Sequence, residues 1–151
     1  MRIMKKPKRK IPGSMEWSGY KDDLDVKHAH KLFFGKPISE VQQYFGGAQS
    51  IERADELLFM PRQALQYYVF AFADFVLSDK AIGDPDSASP FLRLLVAREE
   101  RDSGSVAQIY SELLPAIDHV ASHQGAYDAD RNIYGSFEEL AEKLHTLCVV
   151  G

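Results

Sequence analysis

Residues 64–77 carry apolar side chains almost all the way round a helical wheel, interrupted only by Gln66 and Asp74. A helix that is apolar on every side has to be enclosed on every side, so the rest of the chain must wrap around it. The run is fourteen residues long, short of the roughly 20 that a bilayer requires, and it therefore reads as a buried core helix and not as a membrane span. Pro61 suits a first helical position, so the spacing predicts a helix over 61–79. At 151 residues the chain can supply the enclosure as one domain, since folding at that size buries roughly 68–70% of the unfolded surface. A hydrophobic content of 45% excludes disorder over the whole length. Cys148 is the single cysteine, which excludes a disulfide framework.

The other elements read as further helices. Asp22 or Asp23 caps a short helix that passes through Leu32, Phe33 and Phe34 and stops at Gly35. Pro37 opens a second, over 38–45. Ser50 is placed to cap a third over 51–60, although 57–60 alone reads equally as a strand. Ser89 and Pro90 suit the N-cap and first position of a helix over 90–101. Val106, Ile109, Tyr110, Leu113, Ile117, Val120 and Ala121 recur at helical spacing within 103–124, with Pro115 on the polar side. Ser136 and Glu139 form a capping box for a last helix to about 147. The expected fold is all-α: a compact bundle of five to seven helices around 61–79, with short strands near 15–30 or 56–60 left open. The expected organisation is a basic flexible tail over 1–13 and a single helical domain over 14–151.

Charge divides the chain. Six of the eighteen basic residues (Arg2, Lys5, Lys6, Lys8, Arg9, Lys10) fall in the first ten positions without an acid. Residues 11–151 then hold twelve basic and twenty-two acidic side chains, a balance of −10. Such a body repels phosphate backbones and attracts basic proteins. Nucleic-acid contact is expected only through the basic run from Arg2 to Lys10, and no membrane contact is expected of the body. The cytoplasm is the default compartment, since no apolar leader follows the basic run and cysteine is scarce.

A pattern of residues resembles that of uncharacterised bacterial small helical proteins. It comprises Phe34-Gly35-Lys36, Glu40-Val41, Phe45, the run from Asp55 to Pro61, Ala64 and Tyr67-Tyr68, within about residues 33–100. The resemblance implies a bacterial origin and a compact domain. It implies no activity, cofactor or catalytic residue.

Chemistry-bearing motifs point away from catalysis. No nucleophile elbow, phosphate-binding glycine loop or HExxH pair occurs. Cys148 reads as a small buried hydrophobe. The chain is therefore expected to be a non-enzymatic, acidic protein-binding domain without a cofactor. Its concrete form is an immunity-type or antitoxin-like inhibitor of a basic partner. The expected contact strip lies on the helix over 61–79: Gln63, Gln66, Tyr67, Phe70 and Asp74 project from one side, with Asp74 paired to an arginine such as Arg93 or Arg98 if another helix covers it. The alternative is a metal-binding helical protein with regulatory or hydrolytic activity. Asp128, Asp130, Asn132 and Glu139 stand at positions 1, 3, 5 and 12 of an EF-hand-like loop for Ca²⁺, but Ile133 replaces the glycine of position 6. His119 and His123, four apart, suit Zn²⁺ if further ligands converge.

Overall fold

The computed structural model describes residues 9–150, and no β-strand occurs among them. Eight α-helices follow in order: α1 (Leu24–Phe33), α2 (Ile38–Val41), α3 (Ala48–Phe59), α4 (Arg62–Val76), α5 (Pro85–Arg101), α6 (Tyr110–Ser122), α7 (Arg131–Tyr134) and α8 (Phe137–His145). Two of them, α2 and α7, are four-residue turns, and the remaining six make the bundle. Short 3₁₀ turns and a terminal π-turn (Thr146–Val150) join and close it. Of the segments left open as strands, 24–30 and 56–59 are α-helical, because their apolar residues repeat at helical and not alternating spacing, and 15–19 form turns.

Helix α4 buries eleven of its fifteen residues, as its all-round apolar pattern requires. It packs against α2, α3, α5 and α6. Phe72 is stacked on Phe45 at 4.5 Å and meets Phe91 edge-on at 5.3 Å. Tyr68 is fully buried, and its hydroxyl donates to the carbonyl oxygens of Phe33 (2.5 Å) and Lys36 (2.8 Å) at the end of α1. Burial pushes that hydroxyl well above its ordinary pKa, so it acts as a permanent donor.

Several caps fall where the residue types place them. The Asp23 carboxylate accepts from the Asp25 and Val26 amides, and the Ser136 hydroxyl accepts from the Glu139 amide at 3.2 Å. Three start sites differ from expectation: helix α6 begins at Tyr110, after a 3₁₀ turn over Ala107–Ile109, so Val106 and Ile109 lie outside it. Helix α3 begins at Ala48, so Ser50 lies inside it and its hydroxyl accepts from the Gly46 amide instead of capping. Helix α5 begins at Pro85, not at Pro90, which lies inside it. The cause is long-range: Asp84 accepts from the Gly47 amide and the Ser87 hydroxyl, and Ser87 is bonded to Ser50 at 2.6 Å. That buried network ties the starts of α3 and α5 together and extends α5 upstream of its second proline.

The loop after α5 is held by charges the chain keeps inside. Arg98, 4% exposed, donates to the carbonyls of Leu58 (2.8 Å) and Met60 (2.5 Å) and to Asp102 (3.2 Å). Arg62 grips the same Asp102 and the Ser103 carbonyl. Glu99, equally buried, accepts from the amides of Gly104 (2.7 Å), Val106 (2.9 Å) and Ala107 (2.9 Å). Gly104 adopts φ 99°, and a Cβ there would meet the Arg62 guanidinium at 3.2 Å.

At the N-terminal side, Trp17 is fully buried and a 3₁₀ turn (Tyr20–Asp22) leads into α1. The segment expected as a flexible tail lies outside the described residues over 1–8. Over 9–13 it lies on the body: Pro12 is buried, and the Gly13 amide donates to Glu16. No helix among the described residues is long and apolar enough to cross a membrane.

Candidate functional site

The five residues expected as a contact strip on α4 do share one side of the helix, but they do not form one open face. Gln63 is exposed, Gln66 and Asp74 are half-buried, and Tyr67 and Phe70 are buried. Tyr67, Gln66 and Phe70 are each covered for a separate reason. The Tyr67 hydroxyl accepts from the Ile38 amide at 3.1 Å, which turns the ring toward the start of α2. Gln66 donates to the Ser105 carbonyl (3.0 Å) and to the Gln108 side chain (2.8 Å), tying α4 to the chain that enters α6.

Phe70 is covered by a cation. The Arg9 guanidinium lies over its ring, 3.5 Å from the centroid. The same guanidinium is ion-paired with Glu112, in the first turn of α6. Asp74, one turn along α4 from Phe70, adds an attractive charge. Burial pulls Arg9 below its ordinary pKa, and Asp74 opposes that shift. An aromatic face and the Glu112 carboxylate thus hold one guanidinium, 16% exposed as a side chain, between α4 and α6, with the charge of Asp74 attracting it. The arrangement uses the ring quadrupole and charge-assisted bonding together. The arginines expected to cover Asp74 have other partners: Arg93 donates to Tyr134 and Ser89, and Arg98 to the bonds given above.

The metal alternative does not assemble. Asp130 caps α7 by accepting from the Asn132 amide at 2.8 Å, and Asp128 sits in a left-handed conformation at φ 56°. Residues 131–134 form a helical turn where an EF-hand loop would turn back at glycine, and Ile133 is the residue that stands there. Glu139 belongs to the first turn of α8. His119 and His123 are stacked on one another at 4.2 Å, and the His123 Nδ1 is bonded to the His119 carbonyl. No group of three or more His, Cys, Asp or Glu side chains is placed to hold a metal ion among the described residues. The Cys148 thiol is half-buried, and burial, with Glu99 adding to it, pushes its pKa up to about 11, so it stays protonated at neutral pH.

A second charged cluster lies in a shallow groove of about 430 Å³ between α1 and α3. There the buried Glu56 accepts from Arg53 (2.5 and 2.9 Å) and is bonded to the exposed His28 Nε2 at 2.9 Å. Asp25, Glu52 and Asp55 line the same groove. The bonds of Glu56 staple α1 to α3.

Arg9 and Glu112 are the members of the α4 site that residue patterns did not single out. Arg9 is one cation in a run of six, and Glu112 is one acid on a polar helix face; only the crossing of α4 and α6 joins them. Comparison with protein-family models, with curated proteins and with solved structures finds no match to this chain.

Proposed function

We propose that this chain is a non-enzymatic binding domain whose acidic body captures a basic protein, in the manner of an immunity protein or antitoxin. The observation that carries this reading is the charge split: residues 11–151 hold twenty-two acidic against twelve basic side chains. A body of that balance raises the local concentration of a cationic partner and speeds encounter. The seating of a guanidinium on Phe70 beside Glu112 supports it, since the body already binds a cationic side chain of its own.

The test is affinity capture at low ionic strength, elution with salt, and reconstitution from purified components. The expected partner is a protein of basic isoelectric point that leaves the column on addition of salt and rebinds when salt is removed. Turnover of a small molecule by the purified chain, with no such protein recovered, contradicts the reading.

A further inference from the structure

We propose that the seat formed by Phe70, Asp74 and Glu112 is a recognition site for an arginine of the basic partner, and that Arg9 is its internal occupant. The proposal rests on the reading of the chain as an acidic binding domain and names the side chain that its surface selects.

Two features of the seat fit an arginine better than a lysine, and a third attracts either cation. The guanidinium carbon lies over the Phe70 ring, 3.5 Å from its centroid, within reach of the stacking that a planar guanidinium makes on an aromatic face and a compact ammonium does not. Its edge remains free to bond the Glu112 carboxylate, which is itself 37% exposed and approachable from outside. Asp74 adds a second negative charge that attracts the guanidinium. The seat is also bounded: Gln66 fixes the 105–108 stretch on one side of α4, and Tyr67 fixes the start of α2 on the other. An incoming side chain therefore meets a formed site and not a surface that must be assembled.

Arg9 is attached to the body only through a short stretch of chain, and it occupies the seat at an effective concentration on the order of millimolar. A partner arginine has to displace it. The internal contact thereby sets a threshold: isolated arginines and weakly basic proteins are excluded, while a partner that adds contacts elsewhere on the acidic body prevails.

The experiment uses the full chain and a fluorescein-labelled peptide copying residues 6–13, Lys-Pro-Lys-Arg-Lys-Ile-Pro-Gly, with fluorescence anisotropy as the readout. The peptide is expected to bind the Arg9→Ala chain at least about tenfold more tightly than the wild type, because the internal competitor is gone. A peptide with lysine in place of its arginine, and the arginine peptide on Arg9→Ala/Glu112→Gln, are each expected to bind at least about threefold more weakly than the parent pair. Should Arg9→Ala melt below the assay temperature, Arg9→Gln empties the seat equally. Equal binding to wild type and Arg9→Ala overturns the proposal, as does equal binding of the lysine peptide. A wild-type chain that dimerises with concentration while Arg9→Ala stays monomeric overturns it too, since the occupant is then the arm of a second copy. Loss of peptide binding with a basic protein still captured at low salt discards the seat and keeps the acidic-body reading. Arginine-dependent peptide binding with no basic protein recovered keeps the seat as a guanidinium site but overturns its assignment to a partner.

Discussion

Phe72 has no exposed surface and lies between the rings of Phe45 and Phe91. Phe72→Ala is therefore expected to destabilise the chain by about 3–5 kcal/mol, the range for emptying a buried aromatic site. Chemical denaturation checks this, and a change below about 1 kcal/mol contradicts the packing described. Two adjacent acids separate structure from surface in the same way. Glu99 accepts from three amides in a buried position, so Glu99→Ala leaves those donors unmet and is expected to cost about 3 kcal/mol or more. Glu100, half exposed beside Lys143, is expected to change stability by no more than about 0.5 kcal/mol on the same substitution. Sequence alone presents Glu99, Glu100 and Asp102 as one acidic cluster. The distinction between them comes from the return of the 104–107 loop over α5, which no local pattern encodes.

Histidine supplies a pH dependence at the same scale. His30 is stacked between Tyr20 (3.6 Å) and Phe34 (4.4 Å), with Trp17 edge-on at 5.3 Å. Burial, with Lys21 adding to it, holds its pKa below the ordinary 6.5. The folded chain thus binds that proton less readily than the unfolded chain. The stabilisation is fully present above about pH 6.5 and declines as pH falls below it. His119 is shifted in the same direction by burial and by His123. The melting temperature is expected to drop between pH 7.5 and 5, and His30→Phe is expected to reduce that drop. An unchanged pH slope in His30→Phe contradicts the assignment. Trp17, the one tryptophan, gives an independent reading through its fluorescence.

At the scale of elements, what was legible depended on whether the signal was local. The α1 cap at Asp23 and the α8 cap at Ser136 follow from a side chain and an amide two or three residues away. The apolar wheel of α4 and the amphipathic spacing of α6 likewise carry their own evidence of helicity. The start of α5 was misplaced by five residues because Asp84, Ser87 and Ser50 meet across 37 positions or fewer. Pro90 is a good helix opener by itself and was overruled by that network. The strip residues share one side of α4, but that side is not an open face. Its cover comes from Ile38, from Ser105 and Gln108, and from Arg9, all distant in sequence. Ser136→Ala removes the acceptor for the Glu139 amide and is expected to destabilise the chain by about 1 kcal/mol. A loss near zero contradicts the role of that cap in anchoring α8 against α5 and α6.

At the scale of the whole molecule, the fold explains how an acidic chain remains compact. Its core is built from six long helices around an apolar interior, and the few charges taken inside have partners: Glu56 with Arg53 and His28, Glu99 with backbone amides, and the two terminal nitrogens of Arg98 with carbonyls and Asp102, while its Nε is buried without a hydrogen bond. The remaining acids are left to act on the surroundings. In the function proposed, their summed field reaches a basic partner before contact and is screened over a distance of about 10 Å at 0.1 M ionic strength. The most direct measurement is the association rate of the chain with its captured basic partner, followed by stopped flow from low to physiological salt. The rate is expected to fall at least about tenfold over that range while the dissociation rate changes little. An association rate independent of salt would show that the acidic body plays no part in capture, and would contradict the function proposed.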